Sequence, residues 1–153
     1  MNVRRLVNRL LAASLMGCVL VLLGCGGGGR VLYQSDLGRA PAEEILLGVA
    51  ESVLQSHGFQ RQLATTRFIE TQWRLLGTRD ELYRTGGNHR DRARVEVSPR
   101  GTGLFVGRLV MVHEVEMEDG SWVEQPPPQE LEAEYVLIRQ EVLQRLTRYM
   151  DQR

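Results

Sequence analysis

Apolar residues first occur as one unbroken run. Residues 10–24 read Leu-Leu-Ala-Ala-Ser-Leu-Met-Gly-Cys-Val-Leu-Val-Leu-Leu-Gly, behind a start that carries Arg4, Arg5 and Arg9 and no acid. Beyond it the pattern becomes periodic. Ile45, Leu46, Val49, Val53 and Leu54 recur at helical spacing. Pro41 suits the first helical position, and Glu43 and Glu44 suit the first turn, where carboxylates face the positive end of the helix. His57-Gly58 predicts the stop, with Gly58 in a left-handed backbone.

The period then shortens to two. Leu63, Ile69, Thr71, Trp73 and Leu75 share one parity, so residues 62–76 predict a single strand with that side toward the core. Residues 77–92 are polar and punctuated by glycine, with a turn expected at Gly86-Gly87-Asn88; Leu82-Tyr83-Arg84 fits a strand or a helical turn. Residues 93–98 alternate with Val95 and Val97 inward, and residues 99–103 form a turn. A long strand follows over 104–117, its core parity held by Phe105, Leu109, Met111, Val115 and Met117. Asp119-Gly120 signals a hairpin into a short return strand, 121–124, that holds Trp122. Pro126-Pro127-Pro128 is a stiff spacer that cannot join a central ladder. Residues 129–153 predict a second helix, striped by Leu131, Tyr135, Ile138, Val142, Leu146 and Tyr149. The order of elements implies an α+β fold: two layers, an antiparallel sheet of three to four strands, and two amphipathic helices packed on one face. Trp73, Trp122 and Tyr135 are the aromatics expected to fill its core.

Composition adds an address. The chain has 153 residues, room for one domain. A basic start, an apolar run of about fifteen residues and small residues at its end describe an export signal. The run is short of the roughly twenty residues of a spanning helix, which leaves an uncleaved anchor as the other reading. It ends in Leu22-Leu23-Gly24-Cys25. This stretch resembles the signal of bacterial lipoproteins, whose lipobox sets a small residue before a lipid-accepting cysteine. The resemblance implies cleavage after Gly24, lipid on Cys25, and, since Gly26 is not Asp, an outer-membrane destination facing the periplasm. Cys18 fits the box loosely, but its use would leave residues 19–23 exposed. The expected division is a signal over 1–24, a lipidated cysteine with a flexible tether over 25–40, and a single α+β domain over 41–153. With Cys25 modified, the mature domain carries no thiol chemistry and must hold together by packing.

Charge is unevenly spread. Residues 60–110 hold ten Arg against five acids, and residues 111–134 hold eight acids and no Arg, within a chain of zero formal charge. Glu114 and Glu116 take the parity opposite to the core, and Arg92 and Arg94 are expected to meet them as cross-strand ion pairs. Arg84, Arg90, Arg92, Arg94, Glu114, Glu116 and Trp122 are the candidate interaction residues. Nucleic acid is not expected, because export separates the two and the aromatics do not interleave with the basic run.

Catalytic chemistry is not legible. His57, His89 and His113 fall in three elements, at a helix end, in a turn and at a sheet rim, and form no zinc signature. His89, Asp91 and Ser98 lack the strand-turn-helix setting of a nucleophile. No metal, no cofactor and no enzymatic activity are expected. Residues 42–117 resemble the helix-grip domains of periplasmic lipoproteins of the BamC type. The likeness rests on His57-Gly58-Phe59, Ile69-Glu70-Thr71-Gln72-Trp73, the run from Arg90 to Val95 and the long strand. It implies a non-catalytic accessory role: a protein moored to the membrane through Cys25 that binds an envelope protein. The alternative is a lipid- or glycan-binding envelope lipoprotein, of the kind that transports lipopolysaccharide.

Overall fold

The computed structural model describes residues 32–76 and 88–152. Gly24, Cys25, Arg84 and the turn at Gly86-Gly87 lie outside them. Among the described residues the chain runs β1 (Leu32–Ala40), α1 (Glu43–Ser56), β2 (Arg61–Ala64), β3 (Phe68–Thr71), β4 (Arg74–Leu75), β5 (His89–Pro99), β6 (Phe105–Glu116), β7 (Trp122–Glu124) and α2 (Gln129–Asp151). The fold is α+β with one antiparallel sheet of seven strands, in the order β1-β6-β5-β3-β2. β4 lies beside β5, and β7 lies beside β6. Three to four strands was therefore an undercount, with two separate causes.

The first is at the amino-terminal edge. Residues 31–40 read as tether, yet Leu32–Ala40 pairs with β6 from Leu32↔Val112 to Ala40↔Phe105. The register shifts between Asp36 and Arg39, where Gly38 takes φ +81°. This irregularity hides the two-residue period that a strand shows in sequence. It also brings the backbone close to α2: a Cβ on Gly38 would stand 2.9 Å from Leu143 Cδ2.

The second lies in residues 62–76, which form three short strands rather than one. Thr65 makes the first break. Its Oγ1 accepts from the backbone N–H of Arg67 (3.2 Å) and Phe68 (3.1 Å), and its own N–H donates to the Phe68 carbonyl (2.8 Å). A threonine thus builds the turn without glycine or proline. The second break is a register step. Glu70 pairs with Arg94 and Arg74 pairs with Asp91, so four steps along β3–β4 oppose three along β5. One extra residue turns every later side chain to the other face. Ile69 and Thr71 point inward as expected, but Trp73 goes to the outer face and Arg74 enters the interior. Leu75 is 70% exposed and Leu63 is 50% exposed, against the core positions that parity alone predicts.

The core forms between the helices and the inward parity of β5 and β6. Leu46, Leu47, Ala50, Val53 and Leu54 of α1 meet Leu131, Tyr135, Ile138, Val142 and Leu146 of α2 over Ala93, Val95, Val97, Leu109 and Met111. Each fully buried Leu, Ile or Val side chain contributes about 1.5–3 kcal/mol. The α2 stripe is the one expected, although Tyr149 is only half-buried. In α1 Leu46, Val53 and Leu54 are buried as expected, but Leu47 and Ala50 are buried where Ile45 and Val49 were expected, and those two are only half-buried. Met117 is 44% exposed beyond the end of β6. α1 starts one residue after Ala42, so Pro41 precedes the helix rather than opening it. Pro128 caps α2, so the proline run leads directly into that helix.

Candidate functional site

The first half of β5 carries arginine at alternate positions, Arg90, Arg92 and Arg94, and the alternation of a strand puts all three on the face turned away from the helices. Arg90 is the centre. Its guanidinium stands 4.3 Å from the Trp73 ring centroid and 3.9 Å from that of Trp122. Its Nε donates to Glu114 Oε2 at 2.7 Å. Arg92 lies 4.7 Å over Trp73 and donates to Glu70 Oε1 at 3.1 Å. Arg94 lies 4.4 Å over Phe68 and ion-pairs with Glu70 at 3.5 Å and Glu96 at 3.0 Å. Planar guanidinium groups stack flat on aromatic faces while their edges bind carboxylates in a fixed fork geometry.

The expected pairing of Arg92 and Arg94 with Glu114 and Glu116 is not the one formed. Arg90, not Arg92, stands opposite Glu114, while Arg92 and Arg94 stand opposite Val112 and Val110. Those two arginines turn to β3 on their other side, where Glu70 lies between them. Glu116 instead accepts from Asn88 Nδ2 at 2.6 Å. Trp73 and Trp122 serve this outer face, and of the three aromatics expected inside only Tyr135 is buried. The structure therefore brings together Arg90, Arg92, Arg94, Glu114 and Trp122 and adds Glu70, Trp73 and Phe68. Trp73 was hidden by the register step between β3 and β4, whereas Glu70 has the outward parity beside Ile69 and Thr71 and lacked only the strand pairing that sets it against Arg92 and Arg94.

A second polar cluster lies inside. Asp91 is fully buried, and Arg74 grips both its oxygens, Nε to Oδ1 at 2.9 Å and Nη2 to Oδ2 at 2.7 Å. The Tyr135 hydroxyl donates to Oδ2 at 3.0 Å. Arg74 also donates to Glu134 (2.8 and 3.2 Å) and to the His57 carbonyl at the end of α1 (2.7 Å), with its guanidinium 4.0 Å over Phe59. His57 closes the periphery, with Nε2 3.2 Å from Glu141. One guanidinium thus joins α1, β4, β5 and α2. Burial pushes the Asp91 carboxyl above its ordinary range, against the pull of Arg74 and Tyr135. Burial opposes the charged form of Glu134 too, yet the Arg74 hydrogen bonds hold that carboxyl below its ordinary value. For Arg74 burial is likewise outweighed by its two carboxylates, so the guanidinium stays protonated.

His89 opens β5 rather than sitting in a turn, and it is buried with His113. The rings lie 5.2 Å apart at 18°, with His89 Nδ1 3.0 Å from His113 Nε2. His113 Nδ1 is 3.2 Å from the Gln125 carbonyl, which can only accept. That contact places the His113 proton on Nδ1 and leaves Nε2 to accept from His89. Burial lowers both histidine pKa values; the neighbouring His113 charge adds to the effect on His89. Among the described residues no group of three or more His, Cys, Asp or Glu is placed to hold a metal, and no helix is long and apolar enough to cross a membrane. The two clusters differ in what they can do. The inner groups are spent on one another, whereas the outer row presents half-buried arginine and tryptophan to whatever meets the sheet. Compared with known proteins, the sequence matches no protein-family model and no curated protein.

Proposed function

We propose that this chain is a lipid-anchored accessory protein of the cell envelope, moored through Cys25 after cleavage behind Gly24, with a body that binds another envelope protein and catalyses no reaction. The proposed location is the outer membrane, facing the periplasm. The carrying observation is the sequence Leu22-Leu23-Gly24-Cys25 at the end of an apolar run behind Arg4, Arg5 and Arg9. Two or more acyl chains on one residue hold a protein to a bilayer where a single chain does so only marginally. Two helices on one side of an antiparallel sheet support the likeness to helix-grip lipoprotein domains. The outer face supports a protein rather than an anionic lipid or glycan as ligand. Arg90, Arg92 and Arg94 are each matched by a carboxylate from Glu114, Glu70 or Glu96, so the row offers no excess positive charge. Tryptophan and arginine in contact are the residue types that anchor protein interfaces.

The test is membrane partition with mass spectrometry of the amino-terminal peptide. Wild type is expected in the membrane fraction, with Cys25 acylated at the new terminus. Cys25→Ala is expected to be released or to stay unprocessed. Equal membrane partition of Cys25→Ala and wild type, or an unmodified residue preceding Cys25 in the mature protein, overturns the reading.

A further inference from the structure

Beside α1, the helix and the tip of the β2–β3 hairpin stand apart and leave a groove of about 400 Å3. Leu47 of the helix, Ala64 at the end of β2 and Ile69 of β3 make its apolar lining. Glu43, Glu44 and Glu51 stand along its helical side. Glu51 pairs with Arg61 at 3.2 Å, whereas Glu43 and Glu44 have no cationic partner among the described residues.

Two further features meet at this groove. Gly48 lines it from the middle of α1. Glycine inside a helix is destabilising relative to alanine, and a Cβ at Gly48 would meet nothing within 4 Å. The fold gives no steric reason for the missing side chain; a ligand lying against the helix does. β2 then ends the sheet, bonded to β3 on one side and to no further strand among the described residues on the other. All four of its residues are exposed, Leu63 included. A free edge of this kind accepts an added strand.

We propose that the groove and the β2 edge together receive an extended segment of a partner protein that alternates aliphatic and basic side chains. Its backbone adds to β2, an aliphatic side chain enters between Leu47 and Ile69, and a Lys or Arg meets Glu43 and Glu44. The carboxylates repel phosphate and carboxylate headgroups, which commits the groove to a polypeptide rather than an anionic lipid. This inference rests on the partner-binding reading above and assigns the partner's chemistry.

The experiment is photo-crosslinking of the full chain in the cells that make it, with the reactive residue at position 66 on the groove or, separately, at position 92 on the outer sheet face. Crosslinked peptides are identified by mass spectrometry. Position 66 is expected to capture one defined segment of another protein with Lys or Arg beside aliphatic residues. Gly48→Leu, which fills the groove, is expected to abolish that capture while the thermal melt does not fall, since leucine favours the helix over glycine. Glu43→Gln with Glu44→Gln is expected to lower the yield about two- to five-fold. Capture at position 66 of lipid, of a second copy of this chain or of an acidic segment overturns the groove assignment, as does capture that Gly48→Leu leaves intact. Silence at 66 with a protein captured at 92 overturns the groove and leaves the partner-binding reading standing. No protein at either position overturns both.

Discussion

Asp91 has no access to solvent, and three hydrogen bonds from Arg74 and Tyr135 replace the water it has lost. Such a pair is costly to bury and more costly to halve. Arg74→Ala leaves a carboxylate enclosed without its cation, and the expected loss is about 3–5 kcal/mol in urea denaturation. Replacing the whole buried trio, Arg74→Met with Asp91→Leu and Tyr135→Phe, is expected to recover most of that loss, because no enclosed charge or orphaned hydroxyl is left behind. Recovery of little or none would show that the hydrogen bonds to Glu134 and the His57 carbonyl carry the stability instead. Sequence alone does not reach this cluster. Arg74 reads there as one cation among ten, and only the extra residue between β3 and β4 turns it inward.

The helices, β6 and the second half of β5 were legible in sequence because each buries one stripe or one parity over many residues. Residues 89–92, which read as part of a polar turn region, instead open β5 with His89 and Asp91 buried. Val95, Val97, Leu109 and Met111 lie where alternation puts them. β2 and β4 were not, since a strand of two to four residues has no period to read; β7, equally short, was legible only through the Asp119-Gly120 hairpin signal before it. The outer face was half legible: parity places Arg92, Arg94 and Glu114 on one side, but Arg90 read as part of the polar segment before the strand, and the choice of partner depends on register. Gly107 shows what the element scale demands. A Cβ there would lie 2.5 Å from Leu46 Cδ2 and 3.1 Å from Leu37 Cβ, so α1 and β1 both close onto a bare stretch of β6. Gly107→Ala is expected to lift α1 and cost about 1–3 kcal/mol, read as a lower melting temperature. An unchanged melt would mean that Leu46 can move aside without disturbing the helix.

Across the whole molecule, acid is the expected weakness. His89 and His113 sit below their ordinary pKa chiefly through burial. Around them stand Asp91 of β5, Glu114 of β6 and the carbonyls of Gln125 and Pro126. A histidine depressed in the folded chain binds its proton first in the unfolded one. The stability it lends is complete above about pH 6.5 and drains away as the pH falls through the lower, folded value. Glu134, held down mainly by Arg74 against burial, and Glu141, held down first by Arg145, add a further loss on the acid side of their ordinary 4.5. Asp91 runs the other way, since its raised pKa makes its ionisation a cost that protonation removes. The urea midpoint is expected to fall between pH 7.5 and pH 5.5, and His113→Gln is expected to flatten that slope. A slope untouched by the substitution would assign the acid sensitivity elsewhere.

Among the described residues β1 is the first strand, yet its one ladder there is to β6, with Leu32 opposite Val112 and Ala40 opposite Phe105. Closing a loop that long has an entropic cost that local contacts cannot offset early, and pairings between distant segments slow folding. A chain emerging amino terminus first therefore holds an unmatched ribbon until most of its length has followed. The native topology cannot assemble piecemeal from the leading end. It comes together late, which is compatible with the export proposed above, a route that takes a chain still open enough to thread.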